Sequence, residues 1–90
     1  MARKLKGSEN IEFAVDYVFT REKPLWVICA DETEQDTAYI TAINKIKNIP
    51  NVGLRKLNIV KSSTAIIKGS RYTMFPAVYI SAVKRRVLQN

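Results

Sequence analysis

Residues 25–30 read LWVICA, six apolar side chains in succession. The run has strand length and carries the β-branched pair Val27 and Ile28, so it predicts a central strand covered on both faces. A second run, AVYISAV at 77–83, is nearly continuous as well and predicts the last long strand. That last run, together with the apolar stripe of the helix expected between the two, asks for more cover than ninety residues easily supply, so a second copy is expected to share the task.

The rest of the chain supplies helices at the right places. In NIEFAVDYVFTRE, Ile11, Val15, Val18 and Phe19 fall at i, i+4, i+7 and i+8, with Glu12 and Asp16 opposite. That is an amphipathic helix, which Ser8 or Asn10 can cap and Pro24 ends. After LWVICA, DETEQD opens a second helix, where Thr33 with Asp36 resembles a capping box. Tyr39, Ala42, Ile43, Ile46 and Ile49 form its apolar stripe, and it stops before Pro50. Asp31, Glu32, Glu34 and Asp36 stand at its positive end, Lys45 and Lys47 at its negative end, as the macrodipole favours. VGLRKLNIV at 52–60 is the next strand; its apolar parity switches between Leu54 and Leu57, predicting a bulge or a change of neighbour near Arg55-Lys56. MARKLKG is expected as a short edge strand. The order is therefore β-α-β-α-β-β in one α/β (α+β) domain over 1–90, with a mixed four-stranded sheet. The crossovers predict parallel neighbours, and the last two strands an antiparallel pair.

SSTAIIKGSRYTMFPAVYI, residues 62–80, admits two local structures. Lys68-Gly69-Ser70-Arg71 can be the tip of a long hairpin. Alternatively TAIIKGSRY can be a short helix that delivers Pro76 to a buried strand.

The charge is unevenly distributed. All eight acids lie within residues 1–36, and from Asn51 onward there are eight bases and no acid. The last forty residues carry +8 while the first fifty, with seven bases against eight acids, carry −1. Such a segment calls for a polyanion, an acidic partner or ample water, and phosphate relieves the self-repulsion of clustered cations. On a hairpin, Lys61, Lys68 and Arg71 are spread along a slim arm with Ser62, Ser63, Thr64, Ser70 and Thr73 as hydroxyl donors, a form suited to following a groove. Tyr72 and Phe75 can stack on bases.

Other functions are disfavoured. With no histidine, neither a Ser–His nor a Cys–His pair can exist, and Cys29 lies inside the apolar run. A transition-metal site, a cofactor and an enzymatic activity are not expected, since the three glycines form no phosphate-binding pattern. There is no run of 18 apolar residues and no signal-peptide h-region, so no membrane span and an intracellular location are expected.

These features together resemble the Alba family of archaeal chromatin proteins along nearly the whole chain. WVICA…AYITAINKIKNIP is similar to its second strand and second helix, LRKLNIVKSST to its third strand, IIKGSRYTM to its hairpin arm, and PAVYISAVKRR to its last strand. The resemblance implies a dimer, of identical chains or with a paralogue, built on the second helix and last two strands, with Ile43, Val78 and Ile80 as contacts. Ile49 falls at the family's dimer–dimer contact. It also implies a cytoplasmic, nucleoid-associated protein that binds duplex DNA or structured RNA with little sequence preference. The binding residues would be Arg3, Lys4, Lys6, Arg55, Lys56, Lys61, Lys68, Arg71, Lys84, Arg85 and Arg86. Two departures stand out: the family's Arg-Gly-Arg turn corresponds to Asp31-Glu32-Thr33-Glu34, and its paired lysines before the first helix to Ser8-Glu9. The helical reading of 64–72 resembles instead a thioredoxin-like domain. Its redox positions read Thr33-Glu34-Gln35-Asp36 and its closing helix has no counterpart, so it would be a redox-inactive interaction module.

Overall fold

The computed structural model describes residues 3–49 and 55–84. Its elements are β1 (Arg3–Lys6), a 3₁₀ turn (Ser8–Asn10), α1 (Ile11–Arg21), β2 (Leu25–Ile28), α2 (Glu32–Lys47), β3 (Arg55–Lys68) and β4 (Arg71–Lys84). The fold is the expected β-α-β-α-β-β domain with a mixed four-stranded sheet and a long terminal hairpin. No helix of the described residues is long and apolar enough to cross a membrane.

The sheet order is β1-β2-β4-β3. β1 and β2 are parallel neighbours, with Arg3 opposite Leu25 and Lys6 opposite Ile28. The second crossover does not produce another parallel pair: β4 inserts between β2 and β3 and runs antiparallel to both. The two-residue hairpin keeps β4 paired with β3, and β4 takes the place beside β2 that β3 would have filled.

The β3–β4 register runs unbroken from Arg55–Lys84 to Lys68–Arg71. This decides the form of residues 62–77. They are paired strands, so the short helix required by the thioredoxin-like alternative is absent. The tip is a two-residue turn whose first central residue, Gly69, has φ 60, the left-handed value that glycine tolerates best. The bulge expected near Arg55-Lys56 is also absent from the described strand. Leu57 and Ile59 pack towards the core, while Val60 faces the opposite side of the sheet, 43% exposed; Leu54, on the other side of the parity switch, lies outside the described residues.

Both helices lie on one face. Ile11, Ala14, Val15 and Val18 of α1 and Ala38 and Ala42 of α2 form the core with Leu25, Val27, Val78 and Ile80. Lys45 of α2 lies 3.6 Å from Asp16 of α1, tying the helices to each other. The expectation that β2 is covered on both faces therefore holds only in part: on the face without helices Ile28 is buried, but Trp26 is only half-buried. The helix ends differ in detail too. Asn10 caps nothing with its side chain, which donates to the Lys6 carbonyl, and α1 ends at Arg21 with Glu22 in left-handed conformation. The cap of α2 is Asp31, whose Oδ1 accepts from the Glu34 N–H at 2.8 Å, while Glu34 Oε1 accepts from the Ala30 N–H at 3.1 Å. This capping pair lies two residues ahead of the expected Thr33–Asp36 pair, because Asp31 holds the extended backbone that a cap needs.

Candidate nucleic-acid interface

The strands and the helices differ in charge. The four strands hold nine Lys and Arg residues and no acid; the eight acids all lie on the helices, the 3₁₀ turn or the residues flanking them. Alternation along each strand then divides the cations between two faces.

Two of the candidate binding residues point to the helices. Arg3 donates from Nη1 to the Tyr17 hydroxyl at 3.5 Å, and its guanidinium carbon lies 5.8 Å from the centre of the Tyr17 ring. That hydrogen bond, with weaker attraction from Lys23 and Arg21, lowers the Tyr17 pKa from its ordinary value. Lys61 lies 3.1 Å from Asp36 and 5.5 Å from the centre of the Tyr39 ring. Arg3 and Lys61 are thus engaged with the helical layer, away from the other cations.

Lys4, Lys6, Lys56, Lys68 and Arg71 have the opposite parity, on the face that no helix covers. Among the described residues, none of these five is in an ion pair. Arg55 and Lys84 form the outermost pair of the β3–β4 register. Arg85 and Arg86 lie outside the described residues.

The hairpin beyond Ser62 and Ala77 extends past the end of β2, and the molecule measures 52 × 26 × 18 Å. Its Cα radius of gyration is 14.1 Å, against about 12 Å for a compact chain of this length. The arm does not stand free. It bends over the open face: Lys4 Nζ donates to the Ala65 carbonyl, although Ala65 belongs to the far strand. At its root, Gln35 Nε2 donates to the carbonyls of Ser62 and Ala77, at 2.8 and 2.9 Å. Pro76 sits where β4 leaves β2. Its carbonyl accepts from the Cys29 N–H, so its missing N–H falls on that same side, beyond the end of β2, and no bond to β3 is lost.

The bend creates two adjoining hollows. The outer one, about 320 Å³, is lined by Lys6, Ile66, Lys68, Arg71, Thr73 and Phe75. The inner one, about 310 Å³, shares Lys6, Ile66 and Phe75 and reaches Gly7, Ile28, Cys29, Ala30 and Glu34. Three cations named from the sequence, from two distant segments, thus meet around one cleft with an apolar and aromatic wall. Tyr72 is on the arm's other face with Ile67 and Met74, all strongly exposed. Cys29 is buried, and burial, reinforced by Glu34 and Asp31, pushes its thiol up to about 11.

Sequence reasoning passed over one pair. Trp26 on β2 and Tyr79 on β4 are cross-strand partners on the open face, their ring centroids 4.5 Å apart and planes tilted by 42°. Exposed Val60 on β3 stands opposite Tyr79, and Asn58, Lys56 and exposed Val83 continue the same face towards the base of the hairpin. The rings fall at the positions alternating with the core valines Val27 and Val78, but both parities of the two runs are apolar, so the sequence carries no signal that separates them.

The residues expected as dimer contacts divide likewise. Ile43 is half-buried on α2, and Ile49 packs against the core of its own chain. Val78 and Ile80 are fully buried beneath the helices, so they have no surface to offer a second copy. This corrects their assignment; the exposed apolar residue of α2 is Ile40, 58% accessible.

No family model matches this chain, and no curated protein or solved structure is significantly similar to it.

Proposed function

We propose that the protein binds nucleic acid through the open face of its sheet and the curved arm. Binding is electrostatic in the main and has little sequence preference, in the manner of a divergent Alba-like chromatin protein. The observation that carries this reading is the segregation of charge: nine cations and no acid in the strands, with five cations on the uncovered face and three of them around one cleft. Lysine and arginine held together without acids repel one another, and a phosphate chain removes that repulsion while releasing its own counterions. The acids that replace the family's basic turn serve here as helix caps, with Asp31 and Glu34 closing the start of α2. That leaves the sheet and arm as the binding surface. The protein acts as a dimer, of two copies or with a paralogue, joined through α2 rather than the buried residues of β4.

Titration of a labelled DNA duplex and an RNA hairpin at several salt concentrations tests the proposal. Binding that weakens steeply with salt is expected; no binding to either at low salt would reject it.

A further inference from the structure

The open face has a second property besides its charge. Trp26 and Tyr79 form an aromatic platform at its centre, and Phe75, four residues before Tyr79 on the same strand and face, continues it into the cleft. On an extended strand those four residues span about 13 Å. Lys6, Lys68 and Arg71 line the hollow with Phe75, while Lys56, opposite Val83, stands on the same face four residues beyond the Val60–Tyr79 pair, on the side away from Phe75. The face is unpartnered, and its composition selects among the possible occupants.

A second copy placed on this face about a two-fold axis would set the same cations against themselves, with no acid in any strand to compensate. A duplex supplies the phosphate but keeps its bases stacked, offering only their edges in the grooves. Flat aromatic rings would then have nothing to pair with. An unpaired strand supplies both components, a phosphate chain and free base faces, which stack on aromatic side chains whatever the sequence. The cleft agrees in size: about 320 Å³ is at the lower limit of small-ligand sites, suited to one nucleotide and far too small for a duplex.

We infer that the open face binds single-stranded nucleic acid, with unpaired bases stacked on Trp26–Tyr79 and on Phe75. Lys6, Lys68 and Arg71 hold the phosphates around Phe75, and Lys56 takes one further along the sheet, beyond Tyr79. This rests on the nucleic-acid reading above and narrows it from duplex or structured nucleic acid to unpaired strands, including the loops of a hairpin.

Trp26 is the only tryptophan, so its fluorescence reports on the platform directly. The full-length protein is titrated with oligothymidylate, with oligouridylate and with a blunt DNA duplex of equal length. Either single strand should quench Trp26 and bind more tightly than the duplex. Tyr79→Leu and Phe75→Leu should each lower the preference for single strand over duplex about tenfold, and Tyr79→Phe should retain it. Duplex binding at least as tight as single-strand binding, with no quenching, overturns this inference while leaving the nucleic-acid reading in place. Binding of neither form removes both. Should Trp26→Leu turn a dimer into a monomer without changing oligonucleotide affinity, the face is a self-interface and the inference is wrong. If Tyr79→Leu does not fold, quenching in the unaltered protein and the Phe75→Leu variant still decide.

Discussion

Lys61 on β3 is paired with Asp36 on α2 at 3.1 Å, and so points away from the surface that carries Lys56 and Lys68 on the same strand. Charge on this strand is therefore not one functional set. Lys61→Ala is expected to leave oligonucleotide affinity within about twofold of the parent. Both partners of the pair are about half-exposed, so stability should fall by no more than about 1 kcal/mol. Lys68→Ala with Arg71→Ala should instead weaken binding substantially and reduce the salt slope by about one for each phosphate that is no longer neutralised. Fluorescence anisotropy of the three proteins on one labelled oligonucleotide makes the comparison. Equal losses from Lys61 and from the tip pair would contradict the assignment of faces.

The number of cations on the open face sets the salt dependence. If Lys4, Lys6, Lys56, Lys68 and Arg71 each meet one phosphate, the slope of log K against log salt is roughly −3.5 on a single strand and −4.5 on duplex DNA. Affinities at a series of salt concentrations measure it. A slope near zero would mean that these side chains do not meet phosphate.

Gln35 anchors the arm by donating to two carbonyls across the β3–β4 pair. In Gln35→Ala both carbonyls are left without this donor at a half-buried position, which should cost about 1–2 kcal/mol and lower Tm by several degrees. Amide hydrogen exchange should accelerate between 63 and 76 more than in β1 or β2. Unchanged exchange in the arm would show that Gln35 does not hold it.

Cys29 should be inert. With its thiol at about 11, almost none is ionised at pH 8, and the side chain is buried. A thiol reagent should therefore label the native protein far more slowly than the denatured one. The sign of the accompanying pH effect follows. Below pH 9 the thiol keeps its proton in both states; between 9 and 11 the unfolded chain loses it first, so this group makes stability fall as pH rises.

The proposed dimer should depend on α2. Light scattering at micromolar concentration is expected to give twice the chain mass, and Ile40→Glu combined with Ile43→Glu should return it to one. Both positions lie outside the core of the described residues, so the variant should keep its helical circular dichroism. A dimer unaffected by these changes would place the interface elsewhere.

The order of elements was legible in the sequence because helix and strand periods are local. The stripe of Ile11, Val15 and Val18, the acids that open α2, and Gly69 between two β-rich segments each specify their element from nearby residues. The concentration of cations in the second half was equally plain. What the sequence left open was the side on which each strand residue lies. In LWVICA and AVYISAV both parities are apolar, so no alternation marks a core face, and Trp26 and Tyr79 could not be told from core residues. Only the tertiary structure settled this, by placing both helices on one side. That placement buried Val78 and Ile80, turned Arg3 and Lys61 towards the helices, and left the aromatic pair on the open face. The cleft depends on longer-range contacts still. Lys6 meets Lys68 and Arg71 only because β4 inserts beside β2 and the arm bends back across the sheet, and both follow from packing between segments far apart in the chain, such as Lys4 and Ala65, separated by 61 positions.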